Sequence, residues 1–265
     1  MTNLFTDPRY DERIVRLAVG IEPLDAVTGA RMPGPLRVLV DSPPVPLDRW
    51  RRWRPGETLD TVLSGLDRHR SGRFGQVYGP GTRLGDVVLR LVQPGGRRFV
   101  PRRVGVQVPG EDDAGRRTFA VGLFPGASAP LASRATVVRG RVVSGGIPVR
   151  WARVRAVDAA GDEVGWAHGD DRGEFVLPVA PSAAGVVLAD DPLPVELTVF
   201  ATLPPPVPDP ADPLRPVLDP LWDLPVEPLP AASAGTAALP GQAPFGPFPH
   251  DLPLGRETST QIPIP

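Results

Sequence analysis

Short runs of alternating apolar and polar residues follow one another along most of the chain, separated by Gly and Pro. Alternation with a period of two residues, bounded by turn residues, predicts β-strands that bury one face. In the first half of the chain these runs occupy 14–19, 36–40, 74–78, 86–92, 98–108 and 118–124. A series of short strands without regular intervening helices favours antiparallel sandwiches over βαβ units.

The segment 57–69 has a helical rather than a strand-like period. Its apolar residues at helical spacing are Leu59, Val62, Leu63 and Leu66. Thr58 precedes them as a candidate N-cap, while Gly65 disfavours a long helix. We therefore expect one short helix within a long connection between strands.

A second series of strand-like runs follows Ala135. These runs occupy 136–143, 149–157, 163–167, 174–179 and 195–201. Turn-forming residues lie between the first two runs, at 144–146, and between the next two, at 170–173. The last residues of the chain, 254–264, alternate again and predict a closing strand for this series.

Before that closing strand, residues 203–253 carry a Pro at every second or third position over long stretches. Such a sequence predicts a segment that forms neither a helix nor a sheet ladder and favours an extended or polyproline conformation. Large apolar residues are interleaved with the prolines, which is unusual for a solvated linker. They are Leu214, Val217, Leu218, Leu221, Trp222, Leu224, Phe245 and Phe248. We interpret the segment as an extended arm that lies in a groove of its own body or of a neighbour.

Together these patterns predict an all-β fold of two tandem antiparallel β-sandwich domains, Ig-like or transthyretin-like, with a Pro-rich extended arm. The expected N-terminal sandwich covers 1–130 and includes the short helix. The second sandwich covers 131–202 and is completed by 254–265. The arm, 203–253, is then a long insertion before the final strand.

The second series also matches a known pattern of a strand, a Gly turn, a Pro-led strand and an Asp-Gly hairpin. The matching segments are 138–143, 146–149, 152–154 and 170–175. They resemble the carboxypeptidase regulatory-like domains, which are small transthyretin-like β-sandwiches. The resemblance, over about 135–201, implies a fold and no catalytic residues. Arg150-Trp151 and His168 depart from the residues common in that family.

A second resemblance concerns residues 10–130. The segments 98–103 and 123–126 are similar to parts of proteins associated with phage-tail-like contractile injection systems. The similarity implies that the chain belongs to a particle of that kind.

Composition excludes several classes of protein. The 265 residues include 37 Pro, 29 Gly and no Cys, so a helical bundle, disulfides, Cys-ligated metal sites and thiol catalysis are excluded. All 29 basic residues are Arg, which also excludes a lysine nucleophile. No apolar run is long enough to cross a membrane and no signal-peptide core is visible. We expect a cytoplasmic protein, or part of a particle assembled in the cytoplasm, without membrane contact.

The net charge of −1 conceals two oppositely charged halves. Residues 1–155 contain 26 Arg and 14 acids, for a charge of +12, whereas 156–265 contain 3 Arg and 16 acids, for −13. This asymmetry indicates nucleic-acid binding or, with no extra partner needed, the packing of one half on the other or on another copy. We favour the packing interpretation. The arm acids expected to face the Arg-rich surface are Asp209, Asp212, Asp219, Asp223 and Glu227.

Candidate chemical sites do not converge. The three histidines, His69, His168 and His250, lie far apart and lack metal-ligand spacing. The densest polar group, 168–171, suits a weak calcium site or an exposed hairpin turn, and the turn is the better interpretation. Neither a Gly-x-Ser-x-Gly motif nor a phosphate-binding loop is present. We expect no catalytic residues, no metal, no cofactor and no small-molecule substrate.

The most distinctive motif is the Arg-Trp hexad 49–54. Interleaved Arg and Trp suit structural packing, a protein interface or the stacking of nucleobases. Together with the aromatic residues of the arm it supplies the candidate interface. The candidate interface residues are Trp50, Arg51, Arg52, Trp53, Trp151, Trp222, Phe245 and Phe248.

These observations predict a non-enzymatic structural or adaptor subunit of a larger protein assembly, such as a contractile injection particle. Its partners would be other protein subunits or copies of itself. One alternative is a carbohydrate- or peptide-binding β-sandwich module, for which a cleft lined by Trp50, Trp53 and Trp151 would be evidence. The other is nucleic-acid binding through the Arg-rich half, which would weaken steeply with salt.

Overall fold

The structure is a computed structural model that describes residues 15–32, 34–42, 56–80, 82–95, 98–180, 192–229 and 235–265. Regular structure in these residues is almost entirely β, with two helices of a single turn each. The predicted fold class is confirmed: two β-sandwiches are accompanied by a Pro-rich arm.

The first sandwich contains two sheets around one apolar core. Its elements are β1 (Leu17–Asp25), β2 (Arg37–Val40), α1 (Leu59–Val62), β3 (Asp67–Arg68), β4 (Phe74–Val77), β5 (Gly85–Val92), β6 (Arg102–Val108) and β7 (Thr118–Leu123). One sheet has the order β3-β4-β1-β7, and β6, β5 and β2 are neighbours in the other. Alternate residues of both sheets, such as Ile21, Leu89 and Val104, are fully buried between them.

The second sandwich and the residues after it complete the chain. The elements are β8 (Thr136–Ser144), β9 (Ile147–Pro148), β10 (Arg153–Asp158), β11 (Glu163–His168), β12 (Glu174–Val179), β13 (Leu193–Ala201), α2 (Arg215–Leu218), β14 (Glu227–Pro228), β15 (Ala243–Leu252) and β16 (Glu257–Ile264). One sheet has the order β11-β10-β13-β15, and the other contains β12-β8-β16 with β9 beside β8. Phe175, Leu197 and Ile262 lie in the core between them.

The interpretation of 203–253 as a segment without helix or ladder is wrong in three places. Residues 243–252 form β15, which pairs antiparallel with β13 at the edge of its sheet. β14 pairs with β6 of the first sandwich, and α2 makes one helical turn. An edge strand tolerates proline because one side of its backbone has no ladder partner, so the proline spacing did not exclude β15.

Three strand pairs are parallel, which corrects the expectation of antiparallel sheets throughout. β1 runs parallel to β7, β8 to β16 and β6 to β14. Parallel neighbours need a long connection, and in each case the partners are distant in sequence. Apolar alternation predicts that a strand buries one face, but it carries no information about the direction of the neighbouring strand.

The predicted helix in 57–69 is present only as α1, the turn 59–62 that follows the N-cap Thr58. After Leu63, residue Gly65 forms a bridge to Leu39 of β2, where a Cβ would lie 3.3 Å from the carbonyl oxygen of Val38. This close approach to β2 ends the helix.

A third apolar cluster joins the two sandwiches, and we call it the junction cluster. The first sandwich, the second sandwich and the arm all contribute to it. Its buried members are Leu39, Leu59, Leu63, Val92, Val100, Trp151, Leu218, Leu221, Leu224 and Leu239. The packing of four arm leucines between the sandwiches places the charged residues of the arm against both of them.

Candidate functional site

Residues 215–229, which we call the clasp segment, bring acids to both sandwiches. Asp219, Asp223 and Glu227 recur every fourth residue along it, and their carboxylates are almost completely buried. Each forms an ion pair with arginines of residues 1–155. The opposite charges of the two halves of the chain therefore meet within one molecule.

The first ion-pair site, the Arg90 cluster, has one guanidinium among three carboxylates. Arg90, on β5 and 1% exposed, donates two hydrogen bonds to Asp219, at 2.5 Å from Nη1 and 2.9 Å from Nη2. Its Nε lies 2.7 Å from Oδ2 of Asp41, and Nη1 donates to Oδ1 of Asp60 at 3.2 Å. The clasp segment is thereby fixed to the first sandwich.

Burial affects the two aspartates of this cluster differently. Burial raises the pKa of Asp60, and the longer contact with Arg90 only partly offsets this effect, while the charges of Asp219 and Asp41 add to it. Burial also acts to raise the pKa of Asp219, but its two hydrogen bonds from Arg90 outweigh burial and hold that pKa below its usual range. Asp60 is therefore the least compensated carboxylate of the three.

The second site, the Glu227 cluster, has one carboxylate between two guanidiniums. Arg102 on β6 donates to Glu227 through Nε at 3.0 Å and Nη2 at 2.8 Å, and Arg153 on β10 lies 2.7 Å away through Nη2. Carbonyl oxygens accept further hydrogen bonds from these arginines: Arg102 donates to Gly122 at 2.6 Å, and Arg153 donates to Ala237. Glu227 thus connects the clasp segment to both sandwiches.

His168, at the end of β11, is fully buried beside the Glu227 cluster. Its Nε2–H donates to the carbonyl oxygen of Gly235 at 2.8 Å, and its ring stacks on Phe124 with centroids 4.0 Å apart. Burial, together with the positive charges of Arg153 and Arg102, lowers the pKa of His168 well below its ordinary value. The imidazole is therefore neutral and serves as a packing and hydrogen-bonding group.

The third clasp acid, Asp223, binds the second sandwich alone. It accepts hydrogen bonds from Arg150 Nε at 2.6 Å, Arg150 Nη2 at 2.8 Å and Trp151 Nε1 at 2.8 Å. Trp151 has a φ of 59°, in the left-handed region that costs a non-glycine residue free energy. Asp223, together with Gln242, whose Nε2 donates to the Trp151 carbonyl at 2.8 Å, holds this conformation.

A cavity of about 140 Å³, which we call the junction cavity, lies beside the junction cluster. Its walls come from the first sandwich, from the second sandwich and from the clasp segment. The lining residues are Asp60, Val92, Gln93, Phe99, Val100, Pro101, Gly126, Trp151, Asp170, Asp171, Pro220 and Leu221. Because the clasp segment forms part of the wall, this cavity is complete only when that segment is docked.

The structure separates the candidate interface residues rather than grouping them. The hexad with Trp50, Arg51, Arg52 and Trp53 lies outside the described residues. Trp151 is buried in the junction cluster.

The three aromatic residues of the arm that belong to the candidate interface are placed apart from its leucines. Trp222 is half-buried, and the junction cluster takes leucines of the arm instead of this side chain. Phe245 and Phe248 lie on β15 and pack, partly exposed, against the core of the second sandwich.

Two of the five arm acids expected to face the Arg-rich half have local partners instead. Asp212 pairs with Arg215 three residues later, and Asp209 accepts a hydrogen bond from the backbone N–H of Ala211. No pattern in the sequence indicates which arginines are buried. The four-residue spacing of Asp219, Asp223 and Glu227, between leucines, is the signal that could have identified the clasp segment.

In the described part of the chain, no group of three or more potential metal-ligating side chains is placed to hold an ion. Within the same residues, no helix has the length and apolar character needed to cross a bilayer.

Comparison with known proteins finds distant structural matches alone. No family model and no curated protein matches the sequence. Among solved structures, the chain is similar to the Bacillus anthracis TIE protein (9% identity, TM-score 0.25, covering 94% of this chain and 34% of that one). It is also similar to a streptococcal ancillary pilin (13% identity, TM-score 0.28, covering 96% of this chain and 63% of that one). A third similar structure is the Lactobacillus rhamnosus GG shaft pilin SpaA (8% identity, TM-score 0.23, covering 94% of this chain and 98% of that one).

The chain spans about a third of the first of these structures and less than two thirds of the second. TM-scores and identities this low carry no information about the function of the chain.

Proposed function

We propose that this chain is a non-enzymatic structural or adaptor subunit, in which the clasp segment fixes two β-sandwiches in one relative orientation. The observation that carries the proposal is the Glu227 carboxylate, which contacts Arg102 of the first sandwich and Arg153 of the second. A spacer or adaptor must hold the partners at its two ends in a fixed relative position. A buried bridge of this kind meets that requirement, because it prevents the two sandwiches from rotating independently.

The contacts around this bridge support rigidity over catalysis. Asp219 and Asp223 repeat the arrangement on either sandwich, and the junction cluster places leucines between the ion pairs. Arg90 and His168, whose pKa values are both strongly shifted, are buried and engaged in structural contacts: Arg90 pairs with the clasp acid Asp219, and His168 donates to the carbonyl oxygen of Gly235. Their environments are explained by packing, without any reaction.

The assembly that we propose is a phage-tail-like contractile injection particle, on the similarity of 98–103 and 123–126. Partners would be other subunits of that particle or copies of this chain. The half-exposed Trp222 and the partly exposed Phe245 and Phe248 offer apolar contact surface outside the clasp. Trp50, Arg51, Arg52 and Trp53 remain part of the proposed interface.

Sedimentation of extracts from source cells expressing a tagged chain tests this function. We expect the chain in the heavy fractions, in fixed proportion to other subunits, with contractile particles visible there by electron microscopy. The variant Glu227→Gln should loosen the sandwiches and reduce incorporation, whereas the exposed control Glu257→Gln should incorporate normally. A chain that remains in the monomer fraction in every condition would overturn the proposal.

A second candidate function, a ligand-binding module, is favoured by one observation. Trp151, one of the three residues expected to line a binding cleft, does line the junction cavity. Nucleic-acid binding has less support, because Arg90, Arg102 and Arg153 are buried in ion pairs with acids.

A further inference from the structure

The outer face of the second sandwich carries two buried donor groups that have no acceptor. Arg155 on β10 and Trp166 on β11 lie directly opposite each other across the ladder, on the face away from the core that contains Val154 and Ala156. In the described part of the chain, Nε of Arg155 and Nε1 of Trp166 are buried without a hydrogen-bond partner. Because buried donors in native proteins almost always have an acceptor, two such groups at adjacent positions indicate an acceptor from outside the chain.

The neighbouring outward pair of the same two strands receives its acceptors from the arm. Arg153 and His168 lie opposite each other on β10 and β11. Nη2 of Arg153 lies 2.7 Å from the carboxylate of Glu227, and His168 donates to the carbonyl oxygen of Gly235. Arg155 has the same orientation two residues later on β10, where the arm supplies no acid to it.

Aromatic rings support the guanidinium of Arg155. Its Cζ lies 5.6 Å from the ring centroid of Phe200 on β13, and Trp166 stacks on Phe200 with centroids 5.5 Å apart and planes at 14°. We call these three residues the Arg155 site. Trp166 is 7% exposed, whereas Arg155 and Phe200 are half-buried, so the guanidinium is at the solvent side of the site. A planar guanidinium held on a ring loses little further side-chain freedom when it binds an anion.

The charge of Arg155 is not neutralised within the described residues. There, no carboxylate lies within ion-pair distance of its guanidinium. Glu196 belongs to the same sheet, but it lies opposite Val157 rather than Arg155. The site therefore presents a positive charge with unused donors, and a carboxylate is the group that such a guanidinium binds most strongly.

We propose that the Arg155 site binds a carboxylate group, which accepts one hydrogen bond from the guanidinium of Arg155 and one from the indole Nε1–H of Trp166. Residues directly opposite each other in an antiparallel pair have Cβ atoms about 5 Å apart, so a group with two acceptor oxygens can serve both donors. A neutral amide has a single acceptor oxygen and no charge, and the site discriminates against it.

The carboxylate has two sources: a free small molecule, and an Asp or Glu side chain of another protein. Acetate is the probe for the first source. The probe for the second is the capped peptide acetyl-Gly-Glu-Gly-amide, whose side chain holds its only carboxylate. The proposal concerns the single chain and does not rest on its assembly into a particle.

Titration of the isotope-labelled full-length chain at neutral pH, followed through its indole N–H signals by NMR, tests the proposal. The Trp166 signal is the one that Trp166→Phe removes. We expect acetate or the Glu peptide to shift this signal until it saturates, and to bind at least about tenfold more tightly than acetamide or the matching Gln peptide. The tighter of the two acids identifies the source. A Trp166 signal that neither acid moves, or equal affinity for acid and amide, would overturn the proposal.

Variants of the arginine locate the binding site. Arg155→Gln should weaken binding of the acid about tenfold or more and leave binding of the amide unchanged, while Arg155→Lys, which keeps the charge but not the planar fork, should lose less. The matched control is Arg68→Gln, because Arg68 is exposed and lies 5.9 Å over the ring of Phe74 in the first sandwich. Equal losses in Arg68→Gln and Arg155→Gln would refute the site. Arg155→Lys keeps the test valid if Arg155→Gln disturbs folding.

Discussion

The Arg90 and Glu227 clusters perform the same task with inverted charges. In the first, one arginine is held by three carboxylates, and in the second, one glutamate is held by two arginines. The Arg90 cluster connects the clasp segment to the first sandwich alone. The Glu227 cluster connects it to both, through Arg102 and Arg153.

This difference shows how much each connection depends on a single side chain. Arg90 retains Asp41 and Asp60 if the clasp acid is removed. Arg102 and Arg153 share one carboxylate, so removal of Glu227 takes away the acid that both buried guanidiniums contact. The bridge between the sandwiches is therefore the least redundant contact of the clasp segment.

The largest effect is expected from Glu227→Gln. Because removing one partner of a buried ion pair leaves an uncompensated charge, the free energy of unfolding should fall by about 3–5 kcal/mol. Urea unfolding followed by circular dichroism measures the change. The control Glu257→Gln removes an exposed pair with Arg139 and should cost less than about 1 kcal/mol. Equal losses in the two variants would contradict the assignment of Glu227 as the bridge.

Leu221→Ala tests whether apolar packing of the clasp segment contributes as much to the free energy of unfolding as its ion pairs do. Leu221 is 2% exposed in the junction cluster, and truncation of a buried leucine to alanine lowers the free energy of unfolding by about 2–5 kcal/mol. Val217→Ala, four residues earlier and 71% exposed, is the control and should change stability by less than about 0.5 kcal/mol. Chemical denaturation of the three proteins provides the comparison.

Asp219→Asn should cost less than Glu227→Gln. The guanidinium of Arg90 keeps two carboxylates, so the loss is mainly that of a charged hydrogen-bond pair, about 1–3 kcal/mol. The same urea experiment measures it. A loss of stability larger than that of Glu227→Gln would contradict the conclusion that the Glu227 cluster is the less redundant of the two.

The smallest effect concerns pH and His168. In the folded protein its pKa lies well below 6.5, whereas the unfolded chain has an ordinary histidine, so below about pH 6.5 the unfolded state binds the additional proton. Stability from this residue is therefore complete above that pH and is lost as the pH falls, by up to about 1.4 kcal/mol per pH unit. Between about pH 7 and 6, the wild type should lose more stability than His168→Gln, by somewhat less than about 1 kcal/mol. Parallel losses in the two proteins would show that His168 does not carry the effect.

Much of the fold was accessible from the sequence because alternation and turn residues report directly on burial. Strands such as β5 and β12 lie almost where the pattern predicted them. Strand direction, and the ladder made by β15, depend on partners distant in sequence, which local patterns do not encode. The proline spacing predicts a segment without a ladder, whereas β15 is an edge strand, and an edge position accepts proline.

The candidate site was accessible in outline and not in detail. The charge asymmetry predicted that the two halves meet, and three of the five arm acids do face arginines of residues 1–155. Which arginines are buried depends on the packing of β5, β6 and β10, so Arg90, Arg102 and Arg153 could not be distinguished from solvated ones. Leucines rather than Trp222 anchor the clasp segment, because Leu218, Leu221 and Leu224 are buried in the junction cluster whereas Trp222 is only half-buried.

The distance along the chain between the paired charges has a consequence for biosynthesis. Arg90 and Asp219 are separated by 129 positions, and Arg102 and Glu227 by 125. During translation the first sandwich therefore emerges from the ribosome well before the acids that neutralise its interior arginines. Synthesis at about 5–20 residues per second leaves an interval of several seconds in which those guanidiniums have no clasp partner. The nascent first sandwich must keep these sites hydrated through that interval. Its final packing around the arginines is possible only after the clasp segment has been synthesised.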